Sequence, residues 1–182
     1  LTVDYVLSFF ESRGMLAGRM NSYEYRQSQV DMARAVSETL LNENTLLLVE
    51  AGTGTGKSMA YLLPSVLYAL IYNRRVVVST CTVNLQDQLW EKEIPLLRQV
   101  LPWQFSCVLL KGRQNYLCLR RWRERLEWAR EEGQAGEEGA FLARVLLWVQ
   151  STTSGDRREL NLRSTEEEWW AGNSSHSDYC VG

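Results

Sequence analysis

The segment Ala51-Gly52-Thr53-Gly54-Thr55-Gly56-Lys57-Ser58 constrains this chain more than any other stretch. It fits the phosphate-loop pattern, in which a small residue and four variable positions lead into Gly, Lys and a hydroxyl residue. Three glycines let the backbone curl so that successive N–H groups point inward at phosphate oxygens. The curl ends at a helix N-terminus, where the backbone dipoles favour negative charge. Lys57 then reaches the β- and γ-phosphates and the Ser58 hydroxyl ligands Mg²⁺. Such a loop belongs between a strand and a helix, and both flanks fit. Residues 45–50, TLLLVE, form an apolar run of strand length, and residues 58–72, SMAYLLPSVLYALIY, are long and apolar enough for a buried helix. Pro64 within that helix should bend it or relax one turn. A plain Gly-rich turn would need neither Lys57 nor Ser58.

The rest of the first 110 residues continues the alternation. Gln29, Met32, Ala33, Val36 and Leu40 recur at helical spacing and end near Asn42-Glu43-Asn44. Residues 75–80, RVVVST, are β-branched and read as a buried strand, residues 83–100 as a helix carrying Leu85, Leu89, Ile94 and Leu97, and residues 105–110, FSCVLL, as a third strand. Strand, helix, strand, helix, strand predicts an α/β fold with a parallel sheet and helices on both faces. After Lys111 the pattern changes. Residues 113–130 and 139–150 look helical, and residues 164–170 form a short helix with a Ser164…Glu167 capping box. Trp122, Trp128, Trp148, Trp169 and Trp170 fall in this part, where they fit the core of a small helical subdomain better than a base-stacking platform.

Composition excludes several chemistries. With 45% hydrophobic and 23% charged residues the chain is globular in character. No apolar run approaches the roughly 18 residues of a membrane-spanning helix, and the start LTVDYVLSFFESRG has no basic leader, so neither a membrane nor secretion is expected. Cys81, Cys107, Cys118 and Cys180 form no CxxC pair, which favours a reducing cytoplasm. His176 is the sole histidine, which rules out Ser-His-Asp and Cys-His catalysis. The net charge of −2 hides a local imbalance: residues 111–130 hold seven basic side chains against two acids, and residues 131–170 hold nine acids against four arginines.

Three further groups attract attention. The first is Tyr25-Arg26-Gln27-Ser28-Gln29, where a Gln amide could read adenine or simply open an amphipathic helix. The second is residues 79–88, STCTVNLQDQ, whose hydroxyls and amides at a strand end suit phosphate contacts as well as ordinary capping. The third is residues 111–118, KGRQNYLC.

The order R-x-x-Q-x-x-M, EAGTGTGKS, STxTxxLQxQ and KGRxNYLC resembles the DinG-type helicases, superfamily 2 enzymes related to the XPD group. The resemblance covers essentially the whole chain and is strongest from Tyr25 to Trp122. It implies a 5′→3′ DNA helicase driven by ATP hydrolysis, acting on single-stranded DNA and on duplex junctions or R-loops, cytoplasmic and monomeric. The expected architecture is a RecA-like P-loop motor domain with a partial helical iron–sulfur insert. Residues 1–112 would be the first part of the motor domain and 113–182 the incomplete insert. Arg26 and Gln29 would lie in the adenine site, and Ala51, Gly52, Thr53, Gly54, Thr55, Gly56, Lys57 and Ser58 would bind ATP and Mg²⁺, with Lys57 and Ser58 catalytic. Thr80, Thr82, Asn84, Gln86, Lys111 and Arg113 would follow the DNA strand. Cys118 and Cys180 would be the first two ligands of a [4Fe–4S] cluster, the other two being expected beyond Gly182. On this reading the chain is an amino-terminal part of a helicase that binds nucleotide without unwinding. A nucleotide-binding module acting as a sensor or scaffold is the competing reading.

Overall fold

The computed structural model describes residues 1–20, 22–42, 45–133 and 135–176. The chain divides into two compact units, Leu1–Leu109 and Leu110–Gly182. No helix among the described residues is long and apolar enough to cross a membrane.

The first unit is built from helices. In chain order they are α1 (Val3–Ser8), α2 (Gln27–Leu41), α3 (Lys57–Tyr72), α4 (Val83–Gln88) and α5 (Ile94–Val100), with a π-helical turn, Leu89–Glu93, joining the last two. Helix α3 is the centre of the core. Its Met59, Ala60, Leu62, Leu63 and Leu67 are buried against Val30 and Ala33 of α2, Val6, Phe9 and Phe10 near α1, and Leu89, Ile94, Leu97 and Val100. Pro64 is buried inside α3, which runs unbroken from Lys57 to Tyr72. Packing over several turns of apolar surface outweighs the one backbone bond that proline removes.

The expected parallel sheet is not there. Among the described residues there is no strand, and the segments read as strands at 45–50, 75–80 and 105–110 carry no ladder. The α/β, RecA-like expectation is therefore corrected to a helical unit with irregular connections. The exposure of these segments gives the reason. Leu46 and Leu48 are 96% and 95% exposed, and Val77 is 89% exposed. A parallel strand is stable only when hydrogen-bonded to neighbours and covered on both faces. Apolar, β-branched composition supplies the tendency, and here no partner turns it into a ladder.

The helix expected at 83–100 is also divided. The Ile94 N–H bonds the carbonyl of Leu89, five residues back, so one extra residue is taken up in the turn. This puts Leu89 and Ile94, five positions apart, on the same buried face.

The second unit contains α6 (Leu119–Glu132), α7 (Gly136–Val149) and α8 (Glu166–Asn173), with 3₁₀ turns at Arg113–Asn115 and Arg157–Leu160. Its core is Trp122, Phe141, Leu142, Val145, Trp148, Leu160 and Trp170, with Trp169 packed against it. Trp128 differs: it is partly exposed and lies beneath the Arg125 guanidinium, 4.1 Å from the ring centroid. Residues 113–118 are not the start of α6 as expected but a separate strap. Its backbone pairs with the other side of the unit: the Leu117 N–H bonds Gly155 O, the Cys118 N–H bonds Asn173 O, and the Ser175 N–H bonds Tyr116 O. The Ser164…Glu167 box does not form. The Glu166 carboxylate instead accepts the Arg163 N–H at 2.7 Å, and the Arg144 guanidinium pairs with it.

Candidate nucleotide-binding site

The phosphate-loop residues lie where the chain enters α3. Gly56 precedes the helix at φ 79°, a left-handed conformation that glycine adopts at little cost. Gly54 is left-handed as well, at φ 77°. The Lys57 ammonium donates to the Ala51 carbonyl at 2.9 Å and also to the Gly52 carbonyl. Two of its three protons thus brace the mouth of the loop and one remains for a ligand. The Thr55 hydroxyl donates to Gly52 O at 3.0 Å and closes the curl. The first N–H groups of α3 have no acceptor within the helix, so they and Lys57 form a cationic end to the site.

The upstream group meets this loop directly. The Gln29 amide donates to the Gly56 carbonyl at 2.9 Å, and Gln29 is 8% exposed. The Arg26 guanidinium donates to the Gly54 carbonyl and pairs with Glu24 at 2.9 Å. Arg26 and Gln29 are therefore brought to the loop from 28 and 27 residues away in sequence. They line one cavity of about 460 Å³ together with Thr53, Gly54, Gly56, Lys57 and Ser58. That volume lies within the usual range for a small-molecule site.

Leu16, Met20, Tyr23, Leu85, Gln88, Glu93 and Leu96 also line the cavity; of these only Leu85 and Gln88 lie in a group singled out in the sequence. Burial raises the pKa of Glu93, against opposing contributions from a Gln88 hydrogen bond and the Lys92 charge. Burial likewise raises that of Tyr61, which is lowered in turn by its Ser58 hydrogen bond and raised by Glu93. The five-residue step from Leu89 to Ile94, read in the sequence as part of one continuous helix, is the signal that could have marked the turn carrying Glu93.

The residues expected on a DNA path are not cavity residues. The Thr82 hydroxyl caps α4 by accepting the Leu85 N–H at 3.2 Å, and the Thr80 hydroxyl donates to Thr82 O at 3.2 Å. Asn84 is exposed and Gln86 half-buried on α4. Lys111 and Arg113 belong to the second unit. The Lys111 side chain is 3% exposed, with its ammonium paired to Asp156, while Arg113 is exposed on the 3₁₀ turn. Other members of the basic run are also engaged: Arg120 with Glu124, Arg121 with the carbonyls of Ala171 and Ser174, and Arg125 with Glu138.

Among the described residues no donor set for an iron–sulfur cluster is assembled. Cys118 is half-buried at the N-cap of α6, Cys81 and Cys107 belong to the first unit, and Cys180 lies outside the described residues. A cluster of four irons takes four thiolates. No group of three or more His, Cys, Asp or Glu able to hold a metal occurs among the described residues.

No family model matches the chain. It is 38% identical over 156 residues to the ATP-dependent DNA helicase YoaA of Haemophilus influenzae, an alignment covering 85% of this chain and 23% of that protein. It is 36% identical over 178 residues to the YoaA helicase of Escherichia coli, covering 95% of this chain and 26% of that protein. It is 34% identical over 155 residues to the 3′-5′ exonuclease DinG of Bacillus subtilis, covering 85% and 16%. The chain is a relative of the DinG and YoaA proteins. It spans about a quarter or less of the length of these curated relatives.

Proposed function

We propose that this chain is the nucleotide-binding part of a DinG-type DNA helicase that couples ATP hydrolysis to 5′→3′ movement along single-stranded DNA. The observation that carries the reading is the braced phosphate loop, with Lys57 and Ser58 at the head of α3 and Arg26 and Gln29 fastened to its carbonyls. The triphosphate would lie against the loop N–H groups and Lys57, and Ser58 would hold Mg²⁺. The metal supplies charge neutralisation at the transferring phosphoryl group. The chain's own part is to bind, orient and brace.

Thr80, Thr82, Asn84 and Gln86, together with exposed Arg113, are the residues we assign to the DNA strand. Lys111, committed to Asp156, would serve by holding the 111–118 strap in place. Single-stranded DNA exposed at junctions or R-loops in the cytoplasm is the substrate this reading implies. Cys118 and Cys180 would contribute to an iron–sulfur insert only with further ligands, and no step is derived through such a cluster. The 182-residue chain should bind nucleotide without unwinding DNA, because these residues contain no Asp-Glu-Ala-His-like acidic box to hold Mg²⁺ and orient the attacking water.

The test is ATPase activity of the full-length protein with and without single-stranded DNA. A large stimulation, abolished by Lys57→Ala, supports the helicase reading. Nucleotide binding with no stimulation favours a sensor or scaffold instead.

A further inference from the structure

We infer that Glu24 is a positioning residue for the phosphate loop: it holds the Arg26 guanidinium in the orientation that clamps the Gly54 carbonyl. This role rests on the nucleotide reading above and adds to it a residue outside every motif of the sequence. The contacts form a chain of three residues. Nε and Nη2 of Arg26 donate to one Glu24 oxygen, at 3.3 and 2.9 Å, and Nη1 donates to Gly54 O. The guanidinium is a planar, rigid fork, so fixing one edge on a carboxylate fixes where the remaining nitrogen points. All three residues line the nucleotide cavity.

Gly54 needs such a hold. Its backbone is left-handed at φ 77°, and no atom lies within 4 Å of where a Cβ would stand, so packing does little to fix this peptide unit. In a planar trans peptide the carbonyl and the following N–H point in opposite directions. Clamping Gly54 O therefore also sets the direction of the Thr55 N–H, one of the loop donors available to a phosphate oxygen. Gln29 acts in the same way on Gly56 O, and so on the Lys57 N–H. A carboxylate at an anion site is otherwise a disadvantage, because it repels phosphate and competes with it for Arg26. The Glu24 side chain is 72% exposed, so the core does not require it. The two roles open to it have opposite signs. Removing a bystander charge strengthens phosphate binding, whereas removing a positioning residue weakens it.

Calorimetric titration of the chain with tripolyphosphate reads that sign without requiring catalysis. Glu24→Ala should weaken binding about two- to fivefold, the scale of an exposed ion pair. Glu24→Gln, whose amide oxygen still accepts from the fork, should keep part of the affinity. In an Arg26→Ala background Glu24→Ala should weaken binding no further, since nothing is left for Glu24 to orient. Unchanged or tighter binding in Glu24→Ala alone, or the same loss with Arg26 absent, overturns the assignment and leaves the nucleotide reading standing. If the unmodified protein binds neither tripolyphosphate nor ADP, the nucleotide reading falls and takes this role with it.

Discussion

Replacing the three loop glycines one at a time by alanine should give three different costs, because the structure gives each a different reason to be glycine. Gly52 has no atom within 4 Å of an added Cβ and an ordinary backbone, so Gly52→Ala should leave stability nearly unchanged. Gly54 is equally open but sits at φ 77°, so Gly54→Ala should cost only the left-handed penalty, about 1–2 kcal/mol. Gly56 combines φ 79° with crowding: a Cβ there would lie 2.2 Å from the Gln29 amide nitrogen and 2.7 Å from its carbon. Gln29 is buried and its amide is spent on the Gly56 carbonyl. Pushing it aside forfeits that bond, about 0.5–1.5 kcal/mol, on top of the backbone penalty. Gly56→Ala should therefore cost about 1.5–3.5 kcal/mol in all. The assay is native-state hydrogen exchange of α3 amides, which reads the opening free energy of that helix. A double-mutant cycle then separates the two causes. Gln29→Ala combined with Gly56→Ala should recover the crowding part, a coupling of about 1 kcal/mol, and leave the backbone part untouched. Equal costs at Gly54 and Gly56, or a cycle without coupling, would refute the claim that Gln29 and Gly56 fit each other.

Further outcomes follow from other contacts. Asp156→Ala strands the Lys111 ammonium in a site where its side chain is 3% exposed, and should lower the stability of the second unit by about 3 kcal/mol, read by chemical denaturation; a change below half a kcal/mol would show that other contacts hold Lys111. Burial tends to raise the pKa of Glu166, but the Arg163 N–H bond and the Arg144 guanidinium outweigh it and leave the carboxyl below the usual range. A lowered folded pKa contributes stability that is fully present above the unfolded value of about 4.3 and disappears as pH falls through the folded value. The deficit of Glu166→Gln relative to the unmodified protein should therefore be largest at neutral pH and shrink below about pH 4; a constant deficit down to pH 3 contradicts the ion-pair account. Lys57→Ala should abolish tripolyphosphate binding by calorimetry while the far-ultraviolet circular dichroism stays helical, since the buried face of α3 does not include Lys57.

The sequence by itself determined the local features. Ala51–Ser58 announced a phosphate loop because its chemistry lies in consecutive backbone groups, and α2 and α3 were legible because apolar residues repeat at helical spacing over many turns. The Trp-rich core of the second unit was legible because large aromatic rings need burial wherever they fall. Even the π-helical turn left a trace in the five-residue step between Leu89 and Ile94. Only the tertiary structure decided the rest. Strand-like runs at 45–50, 75–80 and 105–110 specify a preference but not a partner, and a ladder forms only when neighbours supply its hydrogen bonds. A cavity is likewise a property of convergence: Glu93, Gln88, Leu16 and Tyr23 carry no shared motif, and what unites them is the space they enclose. Lys111 gives the same lesson in charge, since a cation in a basic run looks available in sequence until the fold places Asp156 against it and removes water from both.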